Sequence, residues 1–294
     1  NSTITIDPDT TLTGTTDYYV QIDLGAFKDL AGNNYAGIDD KSSWSFKTVI
    51  DFADTNLKTA LVEKDNEDLK VDKNDDGEIS QSEAEDVIAI VLRNKDIQNT
   101  IGLQHFINIK RLYIDENDLD AEDLEKISIM DETGNSLKEL DLDNSNISDI
   151  SPLSSLTELT MLDLYGNNIS DIGAVSSLTK LTELHLDKNS ISEISALSGL
   201  TGLTELGLGD NNIDDVSALE DLTNLKELDL GVNSLDDSSN LNKLSNLTEL
   251  IDLDIQNNEI SDISFVSSLT NLETELDLDS NNIIDISPLS DLEK

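Results

Sequence analysis

The sequence predicts a solenoid of short stacked coils whose strands line up into one curved parallel sheet. Three observations carry this. A pattern of the form Leu-x-x-Leu-x-Leu-x-x-Asn-x-Ile begins at Leu137 and recurs at Leu159, Leu181, Leu203, Leu225, Leu250 and Leu272. Most steps are 22 residues, a period that belongs to repeat architectures. Within each unit, apolar and acidic residues alternate, as Leu140 and Leu142 do with Glu139, Asp141 and Asp143. That is the period-two signal of a short strand with one buried face.

The rest of each unit follows from burial. Leu137, Ile147, Ile150, Leu153 and Leu156 cannot be buried by one coil alone, but stacked coils cover one another. Asn117, Asn167, Asn189, Asn211, Asn233, Asn258 and Asn281 fall where the chain leaves the strand, with Ser145 the one departure. Backbone groups there lose their ladder partners, and a buried amide side chain can satisfy them. Pro152 and Pro288 share a repeat position that suits the opening of a short helical turn. Three extra residues at Leu247–Leu250 and one at 273–275 predict local bulges just before a strand, with no break in the solenoid.

The repeat is that of a leucine-rich repeat solenoid, a curved parallel β-sheet with short helical or 3-10 turns on its convex side. Its length and the segment SDISPLSSLTEL at Ser148–Leu159 resemble the internalin-type repeats of bacterial surface proteins, over about residues 85–294. The resemblance implies a non-catalytic, extracellular binding module, at a bacterial cell surface or secreted.

Ahead of the solenoid, residues 1–48 read as β-structure. Strands are expected at Thr3–Ile6 and Tyr18–Leu24, and a last one carries Trp44 and Phe46. The KDLAGN turn at Lys28–Asn33 and the closing WSFKT resemble the end of a bacterial Ig-like domain of the S-layer-protein type. That sandwich has about seven strands. Only three or four are legible here, so the expectation is a partial domain whose open edge is solvent-exposed or paired with a neighbouring chain. Residues 49–87 form a helical cap, with a helix over Phe52–Leu61, Asp54 as its N-cap, and a shorter helix at Ala84–Val87. Residues 88–294 are the solenoid; Ile88, Ile90 and Leu92 begin its first strand, and Ala121–Ile129 reads as a longer helix. The chain begins inside a strand-like run and stops where another coil is due, so it is expected to be a piece of a longer protein.

Asp72–Glu83, DKNDDGEISQSE, carries the most specific chemistry. Asp72, Asn74, Asp76, Ser80 and Glu83 stand at positions 1, 3, 5, 9 and 12 of an EF-hand-type loop. Gly77 is at the sharp turn, Glu78 offers its carbonyl and Ile79 points inward. Hard Ca2+ takes oxygen ligands, and this spacing supplies them from one loop. The bland alternative is an acidic loop joining two helices. Such loops also resemble the N-terminal caps of some bacterial leucine-rich repeat proteins.

The repeat register names the outward residues of the strands, which line the concave face. One column runs Glu139, Met161, Glu183, Glu205, Glu227, Asp252, Glu275; the next Asp141, Asp163, His185, Gly207, Asp229, Asp254, Asp277. A third runs Asp143, Tyr165, Asp187, Gly209, Gly231, Gln256, Asp279. The face is acidic, with a bare patch at Gly207, Gly209 and Gly231 flanked by Tyr165 and His185, and with Tyr113 farther along. Aromatics beside an acidic surface suit a protein ligand, a basic one by charge. The bland alternative is a solvated face.

Composition narrows the remainder. Eighteen basic residues against 62 acidic give a net charge of −44, which argues against nucleic acid and anionic membrane. There is no cysteine, hence no disulfide, thiolate metal site or cysteine nucleophile. No apolar run is long enough to span a bilayer. His105, in an apolar run, reads as a core or cap residue, and His185 is the only other histidine. The expected function is protein binding in adhesion. Its rivals are a self-associating S-layer, stalk or filament subunit and a non-catalytic region of an exported enzyme.

Overall fold

A computed structural model describes residues 17–19, 45–47, 49–63, 70–130 and 137–292. In the N-terminal region, β1 (Asp17–Tyr19) pairs antiparallel with β2 (Ser45–Lys47). The strand expected at Thr3–Ile6, most of that at Tyr18–Leu24 and the open sandwich edge lie outside the described residues.

The cap follows. Helix α1 (Thr55–Val62) starts where Asp54 accepts hydrogen bonds from the N–H groups of Asn56 and Leu57, at 2.7 and 3.2 Å. The other oxygen of Asp54 accepts the Gln98 N–H at 2.7 Å, which fastens α1 to the first coil. Phe52 packs against Gly102, where a Cβ would lie 2.3 Å from the ring, and Gly102 sits at φ +116. Only glycine meets both demands. Helix α2 is Gln81–Glu85, earlier in the chain than the expected Ala84–Val87. Ser80 and Glu83 form a reciprocal capping box there and set the start of the helix.

The solenoid strands are three residues each: β3 (Ala89–Val91), β4 (Arg111–Tyr113), β5 (Glu139–Asp141), β6 (Met161–Asp163) and β7 (Glu183–His185). They continue as β8 (Glu205–Gly207), β9 (Glu227–Asp229), β10 (Asp252–Asp254) and β11 (Glu275–Asp277). All nine pair in parallel in sequence order. Their central residues stay in register from Ile90 and Leu112 through Leu140, Leu162, Leu184, Leu206, Leu228 and Leu253 to Leu276. This apolar column is buried as far as Leu253. Ile88 is 56% exposed, against the expectation that it opens the first strand inside the core. It occupies the position of Lys110, whose N–H it receives at 2.7 Å, while Val87 takes the buried position ahead of it.

The convex side is built of 3-10 turns, such as Ser151–Ser155 with Pro152 near its start. Helix α3 (Ala121–Ile129) replaces one of them, as the 28-residue step from Ile109 to Leu137 leads one to expect.

The asparagines tie neighbouring coils together. Asn167 accepts the N–H groups of Ser145 and Ile147, at 3.1 and 2.9 Å, and donates to the carbonyls of Leu142 and Leu164, at 2.9 and 3.0 Å. Asn189, Asn211, Asn233, Asn258 and Asn281 repeat this between their own coil and the one before. Ser145 keeps only a long version of one of these bonds, its hydroxyl accepting the Asn117 N–H at 3.5 Å. Its backbone carbonyl takes the Leu119 N–H at 3.1 Å instead, and its hydroxyl donates to the Asp143 carbonyl.

The three-residue insertion is not at 247–250, the stretch expected from the sequence. Leu241, Leu244, Leu247 and Leu250 keep the ordinary spacing and are buried. The extra residues lie in 236–240, on the far side of the coil, where Asn240 is left-handed (φ 59). Length added there leaves the strands untouched, so β9 and β10 stay in register. The extra residue before β11 is absorbed as expected: the N–H groups of Glu273 and Thr274 both reach the Ile251 carbonyl.

Candidate binding face and cation loop

The parallel register lays the three outward columns side by side, and they divide into two halves of different character. Toward the N-terminus two of the acids, Asp115 and Asp141, have a basic partner, and two more basic side chains stand nearby. Arg93 reaches Asp115 at 3.1 Å and Asp141 at 2.9 Å, and its guanidinium lies 5.4 Å from the Tyr113 ring centre. Tyr113 donates its hydroxyl hydrogen bond to Glu139. Lys188 stands 4.7 Å from the Tyr165 ring centre and bonds its hydroxyl. His185 lies 3.5 Å from Glu205. Arg93 and Asp115 were missed in the sequence because the columns were read only from the coil of Leu137 onward; the same register extends back to β3.

Beyond β7 the described residues of the three columns include no basic side chain. A hollow of about 560 Å³ opens there. Tyr165, His185, Asp187, Glu205, Gly207, Gly209, Glu227 and Asp229, all expected as site residues, line it together with Lys188, Gly231, Val232 and Asp254, so that its two basic side chains, His185 and Lys188, both stand at its N-terminal edge. Tyr113, Asp141, Asp163 and Glu183 lie on the same face outside the hollow. Its floor is glycine for a steric reason. A Cβ on Gly207 would stand 2.0 Å from an Asp187 oxygen, and one on Gly209 would stand 2.8 Å from Asp229. Asp187 and Asp229 therefore fold over bare backbone, accepting the N–H groups of Gly209 and Gly231 at 2.8 Å each.

Half-burial of carboxylates beside one another shifts their titration. Burial, then the charges of Asp187 and Asp254, push Asp229 up to about 6, although the Gly231 N–H opposes this. Asp187 is raised too, by burial, and shares a hydrogen bond with Asp229. Asp115 reaches about 6 through burial and the neighbouring Asp141, with Arg93 opposing. His105 is half-buried, and burial lowers its pKa.

The Asp72–Glu83 loop curls through left-handed Asp75 (φ 62) and Gly77 (φ 79). Nothing lies within 4 Å of a Cβ built on Gly77, so conformation alone calls for glycine there. Buried Asp72 accepts the Gly77 N–H at 2.9 Å, Asn74 accepts the Asp76 N–H at 2.8 Å, and Asp76 accepts the Glu78 N–H at 2.9 Å. Ile79 is fully buried and its carbonyl receives the Ile50 N–H at 2.8 Å. Glu83 accepts from Ser80 N–H and Lys73 N–H, at 2.9 and 3.1 Å. The donor set, all oxygen, suits Ca2+. Glu83, however, is turned to its capping role, and no three acidic or histidine side chains among the described residues converge on a metal position. The Ser-x-x-Glu cap signature was visible in the sequence and is a structural reason for two of the six expected ligands.

Titration gives a checkable sign. Asp115 and Asp229 sit near 6 in the folded chain and near the ordinary 3.8 when unfolded. Between those values the folded state binds more protons, so these groups make the fold less stable as pH rises through that window. Tm is expected to fall by a few degrees between pH 5 and 7, and Asp229→Asn should shrink the fall. Scanning calorimetry of both proteins measures it; an unchanged pH response in the variant would refute the assignment.

Comparisons with known proteins agree with this geometry. A leucine-rich repeat family model matches residues 135–178, 157–199, 179–221, 201–245 and 248–292, more than half of the chain in all, and a bacterial Ig-like domain model matches residues 1–48. Internalin C2 of Listeria monocytogenes is 30% identical, with a TM-score of 0.60, over 82% of this chain and 90% of that one. A second L. monocytogenes internalin, inlF, is 29% identical with a TM-score of 0.57, over 82% of this chain and 80% of that one. The ectodomain of the Arabidopsis receptor kinase HAESA, solved with a peptide hormone ligand, is 25% identical with a TM-score of 0.56, over 66% of this chain and 34% of that one. No curated protein matches the sequence. Nine in-register coils, the asparagine ties and these matches place the chain in the leucine-rich repeat family, with an internalin-like fold.

Proposed function

We propose that this chain is a non-catalytic protein-binding module of a bacterial cell-surface or secreted protein, that it acts in adhesion, and that the concave face of its solenoid is the binding surface. One observation carries the reading: nine parallel strands present ordered columns of carboxylates on one face, most of them without an ion-pair partner among the described residues. Such a surface has a partner of opposite charge written into it. The peptide held by the HAESA ectodomain supports a protein ligand, and the internalin-like fold with an Ig-like neighbour supports a surface location. No described helix is long and apolar enough to cross a membrane.

Adhesion is tested with protein-coated beads on a panel of bacterial and host cells. Saturable binding to at least one surface is expected. The triple variant Glu205→Lys, Glu227→Lys, Asp252→Lys should lose most of it, while Glu193→Lys, outside the strand columns, should not. Equal adhesion of all three proteins would overturn the concave-face reading.

The reading includes calcium at Asp72–Glu83, with Glu83 exchanging its cap hydrogen bonds for the ion. Through Ile79, the Lys58–Glu78 ion pair at 2.7 Å and α2, the loop joins α1 to the first coil. The ion would neutralise Asp72, Asp76 and Glu83 and hold the cap over that coil. At tenfold excess over Kd, a site absent from the unfolded chain stabilises by roughly 1.4 kcal/mol. Calorimetry with calcium and with chelator tests this. Glu83→Gln can keep the Ser80 N–H bond through its amide oxygen but not the Lys73 N–H bond, so it should abolish the calcium-dependent rise in Tm while lowering the chelated Tm only modestly. Asp76→Ala should abolish the rise as well. Identical wild-type Tm with calcium and with chelator would contradict the proposal.

A further inference from the structure

We infer that the glycine-floored hollow is a docking site for a single arginine side chain of the partner. The inference rests on the concave face being the binding surface and names what binds at one place on it.

The chain already shows the arrangement once. Arg93 lays its guanidinium between carboxylates of two neighbouring coils, Asp115 and Asp141, at 3.1 and 2.9 Å. The hollow offers the same kind of acceptor: His185 and Lys188 line it on the Asp187 side, but Asp229 and Asp254 form no ion pair among the described residues. Asp187 and Asp229 come from strands two apart in the sheet, and they meet because the coil between them is bare at Gly207 and Gly209. Asp254 stands beside the third glycine, 2.9 Å from where a Gly231 Cβ would be. Each has one oxygen or more committed to the floor or to a neighbour; His185 and Lys188 stand near Asp187, while β9 and β10 supply no cation to Asp229 and Asp254.

The shape selects among cations. Successive strands step by about 4.8 Å, so these carboxylates form a row rather than a cage. A metal ion needs several oxygens around one point, and no such convergence exists among the described residues. A planar guanidinium spans a row, because its donors reach two carboxylates at once, whereas an ammonium is a compact and more strongly hydrated point charge.

The rim adds an apolar contact. Val232 is 46% exposed and left-handed, φ 55. The residue before the asparagine is left-handed in each coil from Glu116 onward, and in the others it is Glu, Asn, Gly, Lys, Asp or Ser. A β-branched side chain is costly in that conformation. Here it places a methyl pair at the edge of the hollow, where the aliphatic stem of an arginine can lie while its head reaches the acids.

The test follows backbone amide shifts of the isotope-labelled full chain at constant ionic strength. The probes are acetyl-Gly-Arg-Gly-amide and the same peptide with citrulline, which keeps the shape and loses the charge. The arginine peptide should shift the Gly209 and Gly231 amides saturably, and citrulline should not. Asp229→Asn should weaken the effect about fivefold or more, the loss of one charge-assisted contact. Val232→Gly should weaken it while leaving the fold at least as stable. Equal shifts from citrulline, or arginine shifts elsewhere on the concave face with Gly209 and Gly231 unmoved, would overturn the hollow and leave the concave-face reading intact. Arginine shifts confined to the convex side would count against both.

Discussion

The buried asparagine is the constraint on which the rest of this structure depends. Each coil must turn out of its strand, and the turn strands backbone N–H and C=O groups where water cannot reach them. Leaving a buried group unmade costs about 1–3 kcal/mol. Asn167 and its counterparts meet this cost in two coils at once, accepting from the coil before and donating to both. A side chain that ties neighbours in this way also fixes their register. The leucine column through Leu140, Leu184 and Leu228 can then close without slippage, since a one-residue slip would turn every leucine outward.

Fixed register has an electrostatic consequence. Residues at one repeat position become neighbours about 4.8 Å apart, whatever their charge. Glu205, Glu227, Asp252 and Glu275 are held as a row by backbone pairing that their side chains cannot alter. The N-terminal half answers this with Arg93, Lys188 and His185. The C-terminal half answers it with proton uptake, Asp229 titrating near 6. A surface that raises its own carboxylate pKa is one in which an external cation has something to gain.

Much of this was legible in the sequence because a repeat converts spacing into neighbourhood. The face columns, the helix Ala121–Ile129 and the Asp54 cap follow from period and residue type alone. What was not legible depended on alternatives of nearly equal local sense. The extra residues after Leu235 could be counted before or after the 3-10 turn, and only the burial of Leu241 and Leu244 decides. Ile88 is apolar yet stands one place off the inward phase, so its type misled where its position would not. Glu83 satisfies two patterns, a calcium loop and a capping box, and the capping hydrogen bonds are the ones seen. The folding of Asp187 across Gly207 could not be read from a linear register, because it joins one column to the next. The left-handed column that includes Val232 likewise shows itself only in backbone angles.

The claim that the asparagine ties hold the coils in register is tested most directly by urea unfolding of Asn167→Ala beside Asn168→Ala. Asn167 is buried and bridges two coils; Asn168 is exposed and makes one long contact, 3.4 Å, to the Asn146 carbonyl. Loss of the bridge should cost about 3 kcal/mol or more, because several buried groups are left unpaired. The exposed neighbour should cost less than about 0.5 kcal/mol. Small and equal losses in the two variants would contradict the account.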